Sequence, residues 1–198
     1  PEIEEAVALQ REKGSVFNQP SPVMVELAER LVSSIDFADW VVFAKNGSDL
    51  TTWAIRVARE ATGCPLVIKA KGAYHGVDSW CDPGHGGRIS DDRASILEFE
   101  WNDLEALSVI MSQNEGKIAA LILTPYHHAA FAPSELPDPG FWAEVEKLCQ
   151  RYGILLVLDD VRCGGRLHGG GSHRYFGFTP DLAVYSKALG NGYAISCL

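Results

Sequence analysis

Ile118-Ala119-Ala120-Leu121-Ile122-Leu123-Thr124 and Ile154-Leu155-Leu156-Val157-Leu158, the second running into Asp159-Asp160, decide the fold. Both runs are apolar throughout instead of alternating, so each must be covered on both faces. The stretch between them, Phe141 to Tyr152, reads as a helix that closes at Gly153. Strand, helix and strand in that order, with continuously apolar strands, predict a mainly parallel sheet with helices on both faces.

Working outward, Leu66 to Ala70 is another strand, preceded by a helix from about Leu50 to Thr62 that stops at Gly63. Trp40 to Ala44 reads as a buried strand, Leu182 to Tyr185 as a short one, and Ile195 to Leu198 as the start of a further one. Asn102-Asp103-Leu104-Glu105 is a capping-box pattern with Asn102 as the cap, opening a helix that ends near Gly116. Two helices lead the chain: Glu2 to Lys13, and one capped by Ser21 with Pro22 in its first turn. The expected architecture is α/β, a three-layer sandwich, with residues 1–40 a helical lead-in and 41–198 the main domain. The helical opening and the apolar close at Leu198 are read as cut ends of a longer chain.

Composition narrows the function. The 198 residues carry 17 Lys+Arg against 26 Asp+Glu, a formal net charge of −9, with no compensating basic run. Binding to a nucleic-acid backbone needs clustered cations, so no nucleic-acid partner is expected. No apolar stretch approaches the roughly 20 residues that span a bilayer, so no membrane role is expected either. The five cysteines (64, 81, 149, 163 and 197) form no C-x-x-C pair and read as reduced thiols of a cytoplasmic protein. Cysteine and histidine spacings match no zinc pattern, and adjacent His127 and His128 diverge, so no metal is expected.

In a parallel sheet, ligands bind beyond the carboxyl ends of the strands, and four polar features lie there. Asn46-Gly47-Ser48-Asp49 joins a strand to a helix. Its free N–H groups and the Ser48 hydroxyl suit an anion such as phosphate, although an ordinary helix cap has the same composition. Tyr74-His75-Gly76 offers an aromatic wall for a planar ligand, or a Tyr packed at a sheet edge beside a surface His. Asp159 ends a buried strand, where a carboxylate needs a partner. It can anchor a protonated ring nitrogen, hold Mg²⁺ together with Asp160, or accept loop N–H groups. Lys187, in Ser186-Lys187-Ala188-Leu189-Gly190-Asn191-Gly192, follows a strand and is set among small residues. Part-buried, it would be a lysine with a lowered pKa and an amine nucleophile; otherwise it is a surface residue in a Gly-rich turn. Gly169-Gly170-Gly171 has no plain helix after it, so it reads as a flexible loop and not as a dinucleotide fingerprint.

The ordered set Asn46-Gly47-Ser48-Asp49, Tyr74-His75-Gly76, Asp159-Asp160-Val161, Pro180-Asp181-Leu182 and Ser186-Lys187-Ala188-Leu189-Gly190-Asn191-Gly192-Tyr193 resembles the large domain of class III pyridoxal-phosphate aminotransferases. It is most similar to the glutamate-1-semialdehyde aminomutase-like branch. The resemblance runs from about Val41 to the C-terminus. It implies fold type I, pyridoxal 5'-phosphate as cofactor, and transfer of an amino group between an amino compound and a keto acid or aldehyde. Aminomutase or racemase chemistry on the same residues is the alternative. It also implies a homodimer with shared sites and a small domain lying outside this chain. Carried over residue by residue, Lys187 would form the imine with the cofactor aldehyde and then move the proton. Asp159 would pair with the ring nitrogen, and Gly47 and Ser48 would bind the phosphate. Tyr74 and Val161 would flank the ring, with His75 beside it.

Three positions depart from the family pattern: Asp160 stands where many members have Glu, Thr124 precedes Pro125 where many have Glu, and Gly164-Gly165-Arg166 replaces glycine-phenylalanine-arginine. The Thr124 change removes a carboxylate near the expected centre and leaves the substrate open. A non-catalytic cofactor-domain remnant and a nucleotide- or Mg²⁺-binding domain using Asp159 and Asp160 are the competing readings. The second lacks a phosphate-binding Gly-x-x-x-x-Gly-Lys-Ser/Thr loop.

Overall fold

The computed structural model describes residues 1–14, 16–84, 86–87 and 89–198. His85 and Arg88, in the Gly/Asp-rich stretch at 81–92, therefore lie outside the described residues. Two compact units are present, Pro1–Trp40 and Val41–Leu198. The first holds α1 (Glu2–Glu12) and α2 (Pro22–Ser34). Ser21 caps α2 by accepting the Met24 N–H at 3.4 Å, and Pro22 takes the first-turn position, where its missing N–H costs nothing.

The second unit runs β1 (Phe43–Ala44), α3 (Gly47–Thr62), β2 (Leu66–Ala70), a 3-10 turn (Ser90–Arg93), β3 (Ile96–Phe99), α4 (Leu104–Gln113), β4 (Ile118–Leu123), α5 (Phe141–Tyr152), β5 (Leu155–Asp159), α6 (Ser172–Phe176), β6 (Leu182–Val184), a 3-10 turn (Lys187–Leu189) and β7 (Ser196–Cys197). A five-stranded sheet has the order β3-β2-β4-β5-β6, and every neighbouring pair is parallel. One face packs on α3: Leu50, Ala54, Ile55 and Ala58 of the helix meet Val67, Ala120, Ile122, Val157 and Val184 of the sheet. On the other parity Ile68, Leu121, Leu123, Leu156 and Leu158 are also buried, and α5, which contacts β5 and α4, buries Phe141, Trp142, Val145 and Leu148. The continuously apolar strands thus have the covered faces their composition requires. The C-caps fall at the expected glycines: Gly63 and Gly153 both hold left-handed backbone, φ 67° and 64°, open to glycine at no steric cost.

Four expectations are corrected. The strand read at Trp40 to Ala44 is only two residues long and pairs antiparallel with β7, outside the main sheet. β3 was not anticipated; it is a four-residue edge strand interrupted by Glu98, so it gives no long apolar run. α4 is capped by Asp103, whose Oδ1 accepts the Ala106 N–H at 2.8 Å, and not by Asn102. Asn102 is drawn away: its amide donates to Glu135 Oε1 and the Leu136 carbonyl, and its Oδ1 accepts the Asp138 N–H. Finally, a short helix, α6, does follow Gly169-Gly170-Gly171, because Ser172 is held at its start by Asp160. Among the described residues no helix is long and apolar enough to cross a membrane.

Truncating Ile122, which is fully buried between the sheet and α3, removes contacts that the rigid sheet cannot re-form. Ile122→Ala is expected to lower unfolding free energy by about 2–5 kcal/mol in equilibrium denaturation.

Candidate active site

A cleft of about 770 Å³ opens beyond the carboxyl ends of β5 and β6. Its walls include Gly47, Ser48, Tyr74, His75, Asp159, Val161 and Lys187, so the structure brings together the residues that the resemblance assigned to the cofactor, while Asp160 lies outside the cleft. They come from four separate segments, each placed by a local physical cause.

Asp159 ends β5 and is 5% exposed. Its Oδ2 lies 2.8 Å from His75 Nδ1, and its Oδ1 accepts the Val161 N–H at 3.2 Å. With the carboxylate as acceptor, the His75 proton sits on Nδ1. His75 is buried rather than on the surface, and its Nε2 is buried without a hydrogen-bond partner. The His75 carbonyl accepts the Thr51 hydroxyl at 2.5 Å, which ties this turn to α3.

α3 begins at Gly47, behind Asn46, whose side chain makes no cap bond and instead reaches Asp49. The first-turn N–H groups therefore face the cleft without a side-chain cap, and the helix dipole favours an anion there. The approach is close: a Cβ on Gly47 would lie 2.6 Å from Val161 Cγ2. Gly76, at φ 140°, presses on Ser48, where a Cβ would lie 3.1 Å from Ser48 Cα. The Ser48 Oγ accepts the Val77 N–H at 2.8 Å and keeps its own hydrogen for a ligand.

Lys187 opens the 3-10 turn after β6 with left-handed backbone, φ 46°. A non-glycine residue in that region costs free energy and persists where the surroundings impose it. Here the surroundings are Ser186, whose hydroxyl donates to the Ile195 carbonyl, and Gly190, on which a Cβ would lie 2.7 Å from Ile195 Cγ2. Lys187 is exposed on the cleft wall, the surface placement of the two its sequence setting left open. Tyr74 is likewise 45% exposed, at the cleft mouth.

Asp160 turns away from Asp159. It is fully buried and accepts both the Ser172 N–H at 2.8 Å and the Ser172 hydroxyl at 2.5 Å, so the two carboxylates do not converge on one cation. Burial pushes its pKa up, against the two Ser172 bonds. Among the described residues no group of three metal-ligating side chains is present. The cysteines are free thiols, and burial pushes Cys81, Cys149 and Cys197 up to about 12. Thr124 is buried and donates to the Tyr126 carbonyl at 2.8 Å, a local bond at the end of β4.

His128, on the cleft wall, was not assigned to the site from sequence; nothing marks it there except adjacency to His127. The two rings do diverge: His127 stacks on Trp101, and His128 meets Tyr126 edge-on. Burial drives the His128 pKa from 6.5 to about 4, and the Arg162 guanidinium adds to this, against the opposing pull of Asp159.

The Aminotransferase class-III family profile matches residues 1–198, and the chain belongs to that family. Aminopentol aminotransferase of Sphingopyxis macrogoltabida is 41% identical over 197 residues, covering 100% of this chain and 47% of that protein. The 3-aminobutyryl-CoA aminotransferase of Cloacimonas acidaminovorans is 38% identical, with 100% and 47% covered. Glutamate-1-semialdehyde 2,1-aminomutase of Syntrophobacter fumaroxidans is 34% identical, with 98% and 47% covered. Among solved structures, the FumI protein of Sphingopyxis sp. MTA144, solved with PLP, superposes with a TM-score of 0.95 at 40% identity, over 99% of this chain and 47% of that one. An omega-transaminase from Sphaerobacter thermophilus gives 0.90 at 27%, over 100% and 48%. The fold is therefore that of the PLP fold type I transaminases. The chain spans about half the length of the curated relatives it matches.

The depressed His128 pKa has a sign. The unfolded chain takes up this proton near pH 6.5 and the folded chain only near 4. Between those values the unfolded state binds more protons, so stability falls on acidification. The expected loss is up to about 3 kcal/mol. Urea denaturation at pH 7 and pH 4.5 is expected to show a smaller difference for His128→Asn than for the parent.

Proposed function

We propose that this chain is the cofactor-binding part of a pyridoxal-phosphate enzyme that moves an amino group from an amino compound to a keto acid or aldehyde. One observation carries the reading. A lysine and a buried carboxylate face the same cleft from the ends of neighbouring parallel strands, beside an uncapped helix N-terminus. The named aminotransferase relatives and the PLP-containing structural relative support it.

The residues fit the cofactor by their own chemistry. Asp159 is an acceptor-only carboxylate held from behind by His75 and Val161, suited to a protonated ring nitrogen. The α3 N–H groups and the Ser48 hydroxyl suit a phosphate, and the bare Cα atoms of Gly47 and Gly76 leave the backbone close enough to form the cradle. Tyr74 and Val161 supply an aromatic and an aliphatic wall. When bound, pyridoxal phosphate supplies an aldehyde for the amino group and a ring that withdraws electrons from the substrate carbon.

The division of labour among the chain's own groups follows. Asp159 would hold a positive charge at the cofactor's ring nitrogen, and His75 fixes the carboxylate's direction. Lys187 Nζ, accessible in the cleft, is the amine that would hold the cofactor through its aldehyde carbon, and as a free amine it would serve as the base for the proton on the carbon bearing the amino group. Arginine cannot serve there, because it does not lose its proton. The working unit is a homodimer, with the remaining cleft walls supplied from outside this chain. An aminomutase uses the same residues, and relatives of that name are present; dependence of turnover on an added keto acid separates the two.

Reconstitution of the intact protein with pyridoxal phosphate, then borohydride reduction and peptide mapping, is expected to place the label on Lys187. Lys187→Ala should take no label; a label elsewhere, or none on the parent, would overturn the reading. Asp159→Asn keeps the shape but loses the charge. It should lower kcat by about two to three orders of magnitude while leaving the fold intact by circular dichroism.

A further inference from the structure

Lys69 is fully buried within β2, a position where lysine is rarely found. It stands in register with Glu98 of β3, and Nζ lies 2.9 Å from Glu98 Oε1. Glu98 is itself paired with Arg93. A second Nζ hydrogen goes to the Ala73 carbonyl at 3.2 Å. Replacing a buried ion pair by apolar side chains of similar size is often neutral or stabilising, so stability alone is a weak reason for a lysine here.

Ala73 is the residue before Tyr74-His75. The turn from β2 closes with the Ala73 N–H on the Ala70 carbonyl at 3.2 Å, through Gly72 at φ 73°. That turn also carries the segment beside His128: Ala73 bridges Ala129, and the Ala130 N–H bonds the Gly72 carbonyl at 3.1 Å. Tyr74, His75, His128, Ala129 and Ala130 all line the cleft.

We propose that Lys69 is a positioning residue for the cofactor site: its ammonium, anchored by Glu98, pins the Ala73 carbonyl and so fixes the Tyr74-His75 turn against Asp159. The consequence for cofactor binding rests on the pyridoxal-phosphate reading above; the pinning itself does not. Burial lowers the Lys69 pKa, and the hydrogen bond and charge of Glu98 oppose that shift.

The test uses the intact protein and three variants. Lys69→Met removes the pin. Lys69→Met/Glu98→Met also removes the carboxylate, so that no unpaired buried charge prevents folding. Glu98→Gln removes the carboxylate's charge but keeps an amide oxygen that can accept from Nζ, so the anchor and the bond to the Ala73 carbonyl are retained. Amide hydrogen exchange on the apoprotein is expected to rise about tenfold at residues 74–77 in both Lys69 variants. It should be unchanged in α5 and within about twofold of the parent at 74–77 in Glu98→Gln. The dissociation constant for pyridoxal phosphate should rise by about tenfold in the Lys69 variants alone. Parental exchange at 74–77 in the double variant, or an increase spread evenly over the sheet and α5, would overturn the pin. Absence of cofactor binding by the parent would instead sink the reading of the site, and the apoprotein exchange result would stand apart from it.

Discussion

A carboxylate at the end of a covered, apolar strand is the constraint around which this domain is arranged. Asp159 cannot be left bare at 5% exposure, and the groups that satisfy it come from two directions: the imidazole of His75 and the backbone N–H of Val161. The first brings the turn after β2 across to β5. The second sets the path of the chain beyond β5, which places Val161 against the start of α3, so closely that position 47 has no room for a side chain. Gly76 against Ser48 closes the same circuit from the other side. The cleft thus has its carboxylate, its uncapped helix start and its apolar wall placed by one set of mutually dependent contacts. A displacement at any of them is passed to the others.

A second buried charge, Lys69, lies in the same sheet, and its side chain shares a parity with Val67 on the α3 face. Its Nζ bonds the Ala73 carbonyl, on the turn that carries Tyr74 and His75 to the cleft. Buried ionic groups in a sheet this apolar contribute little net stability. Their value is directional: an ammonium or a carboxylate accepts few geometries, whereas leucine accepts many. Asp159, Lys69 and Asp160 each fix a loop to a strand, at His75, Ala73 and Ser172 respectively.

Much of this was legible in the chain itself. β4 and β5 are unbroken apolar runs, and Gly63 and Gly153 mark helix ends by a backbone conformation that glycine enters freely. The polar residues at the strand ends stand out because the strands before them are so uniformly apolar. β3 was not legible, since it is a four-residue edge strand broken by Glu98 and too short to show a strand period. Asn102 was misread because both it and Asp103 can cap, and the choice was settled by the Glu135–Asp138 loop, more than thirty residues distant. Position 172 gave no sign of opening a helix; its partner is Asp160.

By itself, then, the sequence determined the α/β class and the mainly parallel sheet, because hydrophobic periodicity and glycine placement are local properties with few structural solutions; it marked the polar residues at the strand ends, and the family resemblance implied their roles. Tertiary structure decided the rest. It turned His75 inward onto Asp159 and Asp160 away onto Ser172. It left Lys187 accessible on the cleft wall with its backbone in the left-handed region, and it buried Lys69 beside Glu98. These outcomes depend on which distant donor or acceptor lies within about 3 Å once the sheet has formed, and a one-dimensional pattern carries no distance between residues far apart in the chain.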